Sequence, residues 1–254
     1  LSRRSQRNAE RASNTKNYRR STKQKQYTDD NIVSLDNYRV PAKNKVKLLP
    51  KNLKQETYIE YLEDINNDLI VAMGSAGTGK TLIATTFAIK EFLDGRIKKI
   101  VITRPNVAVD DRGIGHLPGN LIEKMMPFVR PIMDIFLEYF SKAQLTKLLE
   151  EETIEICPIA MIRGRTFKNS ILILDEAQGT TPSSLKAILT RIGENSRIIL
   201  TGDIEQSDIT ENGLIDFVAR LEGQDIPGIK MIQFTKYDVE RHPMVAKILT
   251  LYED

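Results

Sequence analysis

The 254-residue sequence has no tryptophan, one cysteine and two histidines. A lone cysteine, Cys157, cannot close an intrachain disulfide, and with only His116 and His242 beside it no Cys/His metal cluster can be assembled. Cys157 lies in the apolar run IEICPIAM and reads as a small buried hydrophobe. No apolar run approaches the roughly 18–20 residues of a membrane-spanning helix, and the polar, basic N-terminus lacks the apolar core of a secretory signal. No membrane association is therefore expected, and the expected compartment is cytoplasmic. No internal repeat marks a solenoid or propeller. Aromatic residues are only 6% of the chain and do not cluster with Lys/Arg into a stacking platform for bases, although Tyr18 and Tyr27 sit in a basic region.

What is present is ordinary in bulk and uneven in detail. Hydrophobic residues at 41% and charged residues at 28% suit a globular chain, and the length suits one large α/β domain or two small ones. The net charge of +3 conceals an asymmetry: residues 1–51 hold 14 Lys/Arg against 4 Asp/Glu, and the remainder holds 23 against 30. The segment LSRRSQRNAERASNTKNYRRSTKQKQYTDDN has no apolar periodicity and cannot bury enough surface to offset ordering entropy. The expected organisation is a basic, disordered tail over residues 1–50 and a folded body over residues 51–254.

Within the body, short runs rich in Ile, Val and Leu alternate with helical patterns. Strands are expected at Leu69 to Met73, Lys99 to Arg104, Thr153 to Ile156, Ser170 to Leu174, Arg197 to Thr201 and Lys230 to Phe234. Continuous apolar runs of this kind suit a parallel sheet buried on both faces. Helices are expected at Gln55 to Asn66, Lys80 to Asp94, Ser183 to Ile192, Gly213 to Leu221 and Glu240 to Tyr252. The stretch from Leu121 to Leu149 is expected to be kinked at Pro127 and Pro131, forming an appendage or a broken helical hairpin.

Three segments carry chemistry. Gly74, Ser75, Ala76, Gly77, Thr78, Gly79, Lys80 and Thr81 fit G-x-x-x-x-G-K-[ST] between an expected strand and an expected helix. Glycines let the backbone N–H groups curl around phosphate oxygens, and the helix N-terminus adds a favourable dipole. Lys80 would reach the β- and γ-phosphates, and the Thr81 hydroxyl would ligate Mg²⁺. The run ILILDEAQ then delivers Asp175 and Glu176 to the end of a strand, where ligands of open α/β sheets bind. Asp175 would hold the hydration shell of the Mg²⁺, and Glu176 would orient or deprotonate the attacking water. In IILTGDIEQSD, Thr201, Asp203 and Gln206 are candidates for sensing the γ-phosphate or positioning water, against the alternative of a simple Gly-Asp turn.

Together with ITRPNV, GHLPGNLIEKMMPFVRP, IAMIRGRTF and DVERHPMVAKIL, these segments resemble the PhoH-like ATPases, a phosphate-starvation-inducible family of bacteria and phages. The resemblance runs from near Lys51 to the C-terminus. It implies a P-loop NTPase with a RecA-like, mostly parallel sheet flanked by helices, similar to the motor domain of superfamily 1 helicases. ATP is the implied nucleotide and Mg²⁺ the implied cofactor. Gln55 and Tyr58 look like the glutamine element that reads adenine, since an amide can accept from the 6-amino group and donate to N7; the alternative for Gln55 is an ordinary polar helix residue. Arg104, Arg163 and Arg165 are the implied nucleic-acid contacts, with surface ion pairs as the alternative for the last two. Asp110, Asp111 and Gly179 depart from the commoner bacterial pattern and look more like a phage-type member.

The resemblance points to Mg²⁺-dependent ATP hydrolysis coupled to single-stranded nucleic acid, RNA favoured, in a bacterial or phage-infected cytoplasm. A nucleotide-dependent switch that recruits a protein partner and a small-molecule kinase remain as alternatives. A superfamily 1 motor closes its site between two RecA-like domains, and one is expected here. The second wall is therefore expected from another copy, in a homo-oligomer, with a hexamer as the expected form. Arg241 is the first candidate for an arginine acting in trans, with Arg163 or Arg165 as alternatives and a surface pair with Glu240 or Asp238 as the simpler reading of Arg241.

Overall fold

A computed structural model describes residues 45–105, 121–207, 211–240 and 244, with the helix backbone but not the side chains at 121–124. The basic segment up to residue 44, Asp110, Asp111, His116, Arg241 and His242 lie outside the described residues. So does most of the helix expected from Glu240 to Tyr252.

Six strands form one parallel sheet: β1 (Leu69–Gly74), β2 (Lys99–Thr103), β3 (Ile154–Ile156), β4 (Ser170–Leu174), β5 (Arg197–Gly202) and β6 (Ile229–Phe234), in the order β3-β2-β4-β5-β1-β6. Every pairing is parallel, and Met73 faces Gly202 while Thr103 faces Leu174, so the C-terminal ends of β1, β2, β4 and β5 meet at one edge. The central strands β1, β2, β4 and β5 are dominated by apolar runs because both faces are covered, whereas the edge strands β3 and β6 carry Glu155, Lys230 and Gln233. On one face Ile70 and Ala72 of β1 join a core with α1 (Leu53–Glu63), α2 (Lys80–Leu93), α3 (Leu121–Tyr139) and α4 (Lys142–Glu150). On the other, Leu69, Val71 and Met73 pack with α5 (Ile159–Ile162), α6 (Pro182–Leu189) and α7 (Gly213–Leu221). The period of two in a strand sends neighbours to opposite cores.

Local signals set the helix starts. Asn52, Thr181 and Asn212 accept from first-turn backbone N–H groups of α1, α6 and α7, and Ser141 forms a capping box with Gln144 at α4. Helix α2 begins differently. Its N-cap is Gly79 at φ 85°, with no side-chain cap, which leaves its first N–H groups for another acceptor.

The expected break in this stretch is present, between Tyr139 and Lys142, while Pro127 and Pro131 both lie inside α3. Each interior proline costs about 3 kcal/mol, while each fully buried large apolar side chain contributes about 1.5–3 kcal/mol. Met125, Val129, Ile132, Met133 and Phe136 are all buried from this one helix, so their burial outweighs the two prolines. The segment is part of the main core rather than an appendage.

Phe136 stacks on Phe140 with centroids 6.3 Å apart and is fully buried. Phe136→Ala is expected to lower unfolding free energy by about 3–5 kcal/mol, measured by urea denaturation.

Candidate nucleotide site

The segment from Gly74 to Thr81 joins β1 to α2 in a backbone path that glycine makes possible. Gly74 has φ +125°, and a Cβ there would overlap the carbonyl oxygen of Phe234 on the neighbouring strand. At this position the chain passes too close to β6 for any side chain. Gly79, at φ +85°, turns the chain into α2 with its backbone against the Gln55 amide.

Lys80 is only 8% exposed, and its Nζ donates to the carbonyls of Gly74 at 2.5 Å and Ser75 at 2.8 Å and to the Thr78 hydroxyl at 3.3 Å. Burial lowers its pKa, opposed by the charges of Asp203, Glu176 and Asp175. The ammonium therefore lies over the loop beside a carboxylate group of three. Thr81 opens α2, and its hydroxyl donates to Asp175 Oδ1 at 2.7 Å; the Thr201 hydroxyl from β5 donates to the same oxygen at 2.6 Å. Asp175 is 5% exposed, and its backbone N–H donates to the Thr103 carbonyl, which fixes it to the end of β2.

Glu176 follows in the left-handed region, at φ 56°. That turn directs consecutive carboxylates to different partners. Arg104 donates to Glu176 Oε1 at 3.2 Å, and Gln178 donates to Oε2 at 2.6 Å. The same Gln178 side chain accepts the Asp203 backbone N–H at its Oε1 at 3.0 Å, linking Glu176 to the end of β5. Asp203 caps the turn Ile204–Gln206. A cleft of about 250 Å³ lies between these parts, with Gly77, Lys80, Thr81, Asp175, Glu176, Asp203 and Gln206 among its walls.

The structure thus brings the loop, Asp175, Glu176, Thr201, Asp203 and Gln206 together. Gln55 sits against the loop with both ends of its amide engaged: Nε2 donates to the Thr78 carbonyl at 3.0 Å and Oε1 accepts the Lys51 N–H at 2.9 Å. At 4% exposure it braces the loop, and reading adenine would require exchanging those partners. Tyr58 is wholly buried, edge-on to Phe234 at 5.9 Å, so it is a core residue out of reach of a base. Gln178 was not singled out in the sequence, although its place two residues after Glu176 is the signal that could have found it. Arg104 lies against the acidic pair, with Nη1 3.7 Å from Asp175 Oδ2.

Arg163 and Arg165 lie elsewhere along the same sheet. They follow β3, four strands from β1, which at about 4.8 Å per strand is roughly 19 Å from the loop. Arg163 is exposed at the end of α5. Arg165 is engaged: it makes a bidentate pair with Glu155, with Nη2 to Oε2 at 2.8 Å, and its guanidinium lies 4.7 Å from the Phe167 ring centroid.

Burial alone would raise the Glu155 carboxyl, but hydrogen bonds from Arg165 and Lys99 override it and hold its pKa at about 2, below the ordinary 4.5. A depressed carboxyl stabilises the fold above its unfolded pKa and loses that contribution as pH falls through the folded one. Arg165→Ala is expected to cost about 1–2 kcal/mol near pH 7, after allowing for partial exposure. In urea denaturation the difference from the parent chain should persist to pH 5 and shrink from about pH 4.5 downward.

Comparison with known proteins agrees with this architecture. Residues 47–253 match the family model described as PhoH-like protein. The chain is 42% identical over 206 residues to the PhoH-like protein of Bacillus subtilis (strain 168), covering 80% of this chain and 63% of that one. It is 36% identical over 210 residues to Protein PhoH of Escherichia coli (strain K12), covering 81% and 58%. It therefore spans about three-fifths of the length of these curated relatives. Among solved structures, the large terminase from a thermophilic bacteriophage superposes with a TM-score of 0.50 at 11% identity, covering 81% of this chain and 51% of that one, a likeness of fold alone. With its parallel sheet and phosphate loop, the chain has a P-loop NTPase fold and belongs to the PhoH-like protein family.

Proposed function

We propose that this chain hydrolyses ATP with Mg²⁺ and couples hydrolysis to binding or remodelling single-stranded nucleic acid, with RNA favoured. The observation that carries the hydrolytic half is the Asp175 oxygen shared by Thr81 and Thr201, which ties the phosphate loop to the ends of β4 and β5. Mg²⁺ fits this donor set. It keeps several waters and needs only one or two protein oxygens beside phosphate oxygens, and among the described residues no group of three His, Cys, Asp or Glu forms a metal cage. Thr81 and Asp175 would hold it, and it would neutralise charge on the β- and γ-phosphates.

The chain's own residues supply the rest. Lys80 and the loop N–H groups bind the phosphates. Glu176, on the cleft wall, takes a proton from the attacking water as the bond from the γ-phosphorus to its bridging oxygen breaks and ADP leaves. Gln206 and Asp203 line the same cleft, where they can orient that water. The nucleic-acid half is supported by the family resemblance, by the excess of basic residues in 1–51, and by exposed Arg163 beyond β3. On this reading residues 1–50 are the basic segment and residues 51–254 the ATPase domain. Among the described residues no helix is long and apolar enough to cross a membrane.

Glu176→Gln is expected to keep ATP affinity within about twofold and lower turnover by at least about 10²-fold, whereas Lys80→Ala weakens ATP binding itself. Binding of a fluorescent ATP analogue and steady-state phosphate release distinguish the two. Turnover of the parent chain should rise with single-stranded RNA more than with DNA. An unresponsive rate would favour the switch or kinase reading.

We also propose a homo-oligomer, hexameric by preference, in which an arginine reaches the neighbour's nucleotide. Arg241 remains the first candidate, since Arg165 is committed to Glu155. The residue before it, Glu240, donates its N–H to the Gly77 carbonyl of its own loop at 3.0 Å, so action in cis is the competing geometry. Mixing inactive Lys80→Ala and Arg241→Ala chains should restore ATPase activity if the arginine acts in trans. No recovery at ratios that form mixed oligomers would place it in cis.

A further inference from the structure

Arg104 immediately follows β2, and its guanidinium hydrogen-bonds two acceptors and lies within ion-pair distance of a third oxygen. Nη2 donates to Glu176 Oε1 at 3.2 Å; Nη1 donates to the Phe128 carbonyl on α3 at 2.6 Å and lies 3.7 Å from Asp175 Oδ2. In the strand order β2 lies on the far side of β4 from β5 and β1, so Arg104 approaches Glu176 from the side away from the phosphate loop. It is absent from the walls of the nucleotide cleft. About a quarter of its side chain is exposed.

Glu176 is thus gripped on both oxygens, by Arg104 on one and Gln178 on the other. A base must present a free lone pair to water, and an oxygen committed to a guanidinium presents less of one. The Gln178 contact is short and anchored through the Asp203 backbone. The Arg104 contact is longer and open to solvent, with side-chain exposures of 24% and 40%, so it stabilises the engaged carboxylate by no more than about fivefold in an equilibrium. A guanidinium fork fits a phosphate as well as a carboxylate. A phosphate arriving on the exposed side therefore competes for Arg104 without disturbing Gln178.

We propose that Arg104 is a positioning residue that restrains Glu176, and that a backbone phosphate of a bound single strand releases the restraint by taking the guanidinium. This rests on the nucleic-acid reading above. It assigns a physical link between strand and hydrolysis: the strand weakens one half of a two-sided grip on the base. Linkage requires the reverse as well. Whatever weakens the Glu176 side of the pair must strengthen strand binding by the same factor.

The test compares parent chain, Arg104→Ala and Arg104→Lys by steady-state ATPase, with and without saturating oligouridylate, and measures oligouridylate affinity by fluorescence anisotropy for Glu176→Gln. Arg104→Ala is expected to raise strand-free kcat by about two- to fivefold, keep the KM for ATP within about twofold, and remove most of the stimulation. Arg104→Lys retains the charge without the fork and should fall between. Glu176→Gln should bind oligouridylate about two- to fivefold more tightly than the parent at fixed salt, and Glu205→Gln, the same charge change at an exposed carboxylate, should not. A strand-free kcat for Arg104→Ala at or below the parent value would overturn the restraint. Equal strand affinity for Glu176→Gln and the parent would overturn the competition, independently of how the arginine variants fold. A parent rate indifferent to both oligouridylate and oligodeoxythymidylate would overturn the nucleic-acid reading and the release step; a raised strand-free kcat in Arg104→Ala would then leave the restraint standing alone.

Discussion

A buried carboxylate is tolerated only when its oxygens are supplied with donors, and the arrangement at the C-terminal edge of the sheet follows from that requirement at Asp175. Its Oδ1 accepts from Thr81 at the start of α2 and from Thr201 at the end of β5, and its backbone N–H is tied to Thr103 at the end of β2. Three chain segments remote from it in sequence thus meet at one residue, two at its side chain and one at its backbone. The cost of leaving such a group unpaired is at least about 1–3 kcal/mol and larger for a charge, so these distances are mutually enforced. The cleft between loop and strands is shaped in part by the same constraint, because Asp175, Thr81 and Thr201 are among its walls.

The loop is supported from outside the sheet as well. Gly74 presses its backbone on Phe234, Gln55 from α1 bonds to Thr78, and Glu240 bonds to Gly77. Strand β6 and the segment after it therefore stand next to the phosphate loop although they follow it by more than 150 residues in the chain. Asn52, which caps α1, also donates to the Asp238 carbonyl and the Glu240 carboxylate, closing the circle from α1 through the loop to the chain beyond β6. That last segment is therefore in direct hydrogen-bonded contact with the phosphate loop.

Charge is balanced across the site in two layers. Lys80 lies on the loop side of Asp175, Glu176 and Asp203, and Arg104 lies on the β2 side of the first two. The inner cation is buried and committed to its own loop, whereas the outer one keeps solvent contact. This difference in exposure, rather than any difference in charge, makes the outer arginine the member that an external anion can reach.

The order of strands and helices, the phosphate loop and the two carboxylates after β4 were legible in the sequence because each is encoded locally: an apolar run, a glycine spacing, an acidic pair at a strand end. Pro127 and Pro131 are local signals too, and burial of one face of α3 offsets their cost so that the helix continues through both. Which partners the functional side chains choose was decided only by the fold. Gln55 and Tyr58 look alike as a polar and an aromatic residue on one helix, yet packing turns one toward the loop and encloses the other against Phe234. Arg104 and Arg165 are both arginines beyond strand ends, but the sheet order sets the first beside Glu176 and gives the second to Glu155. The sequence by itself determined the types of group available and their order along the chain. Only the tertiary structure decided which of them meet, because parallel strands joined by crossover helices bring together residues whose separation in sequence carries no information about their separation in space.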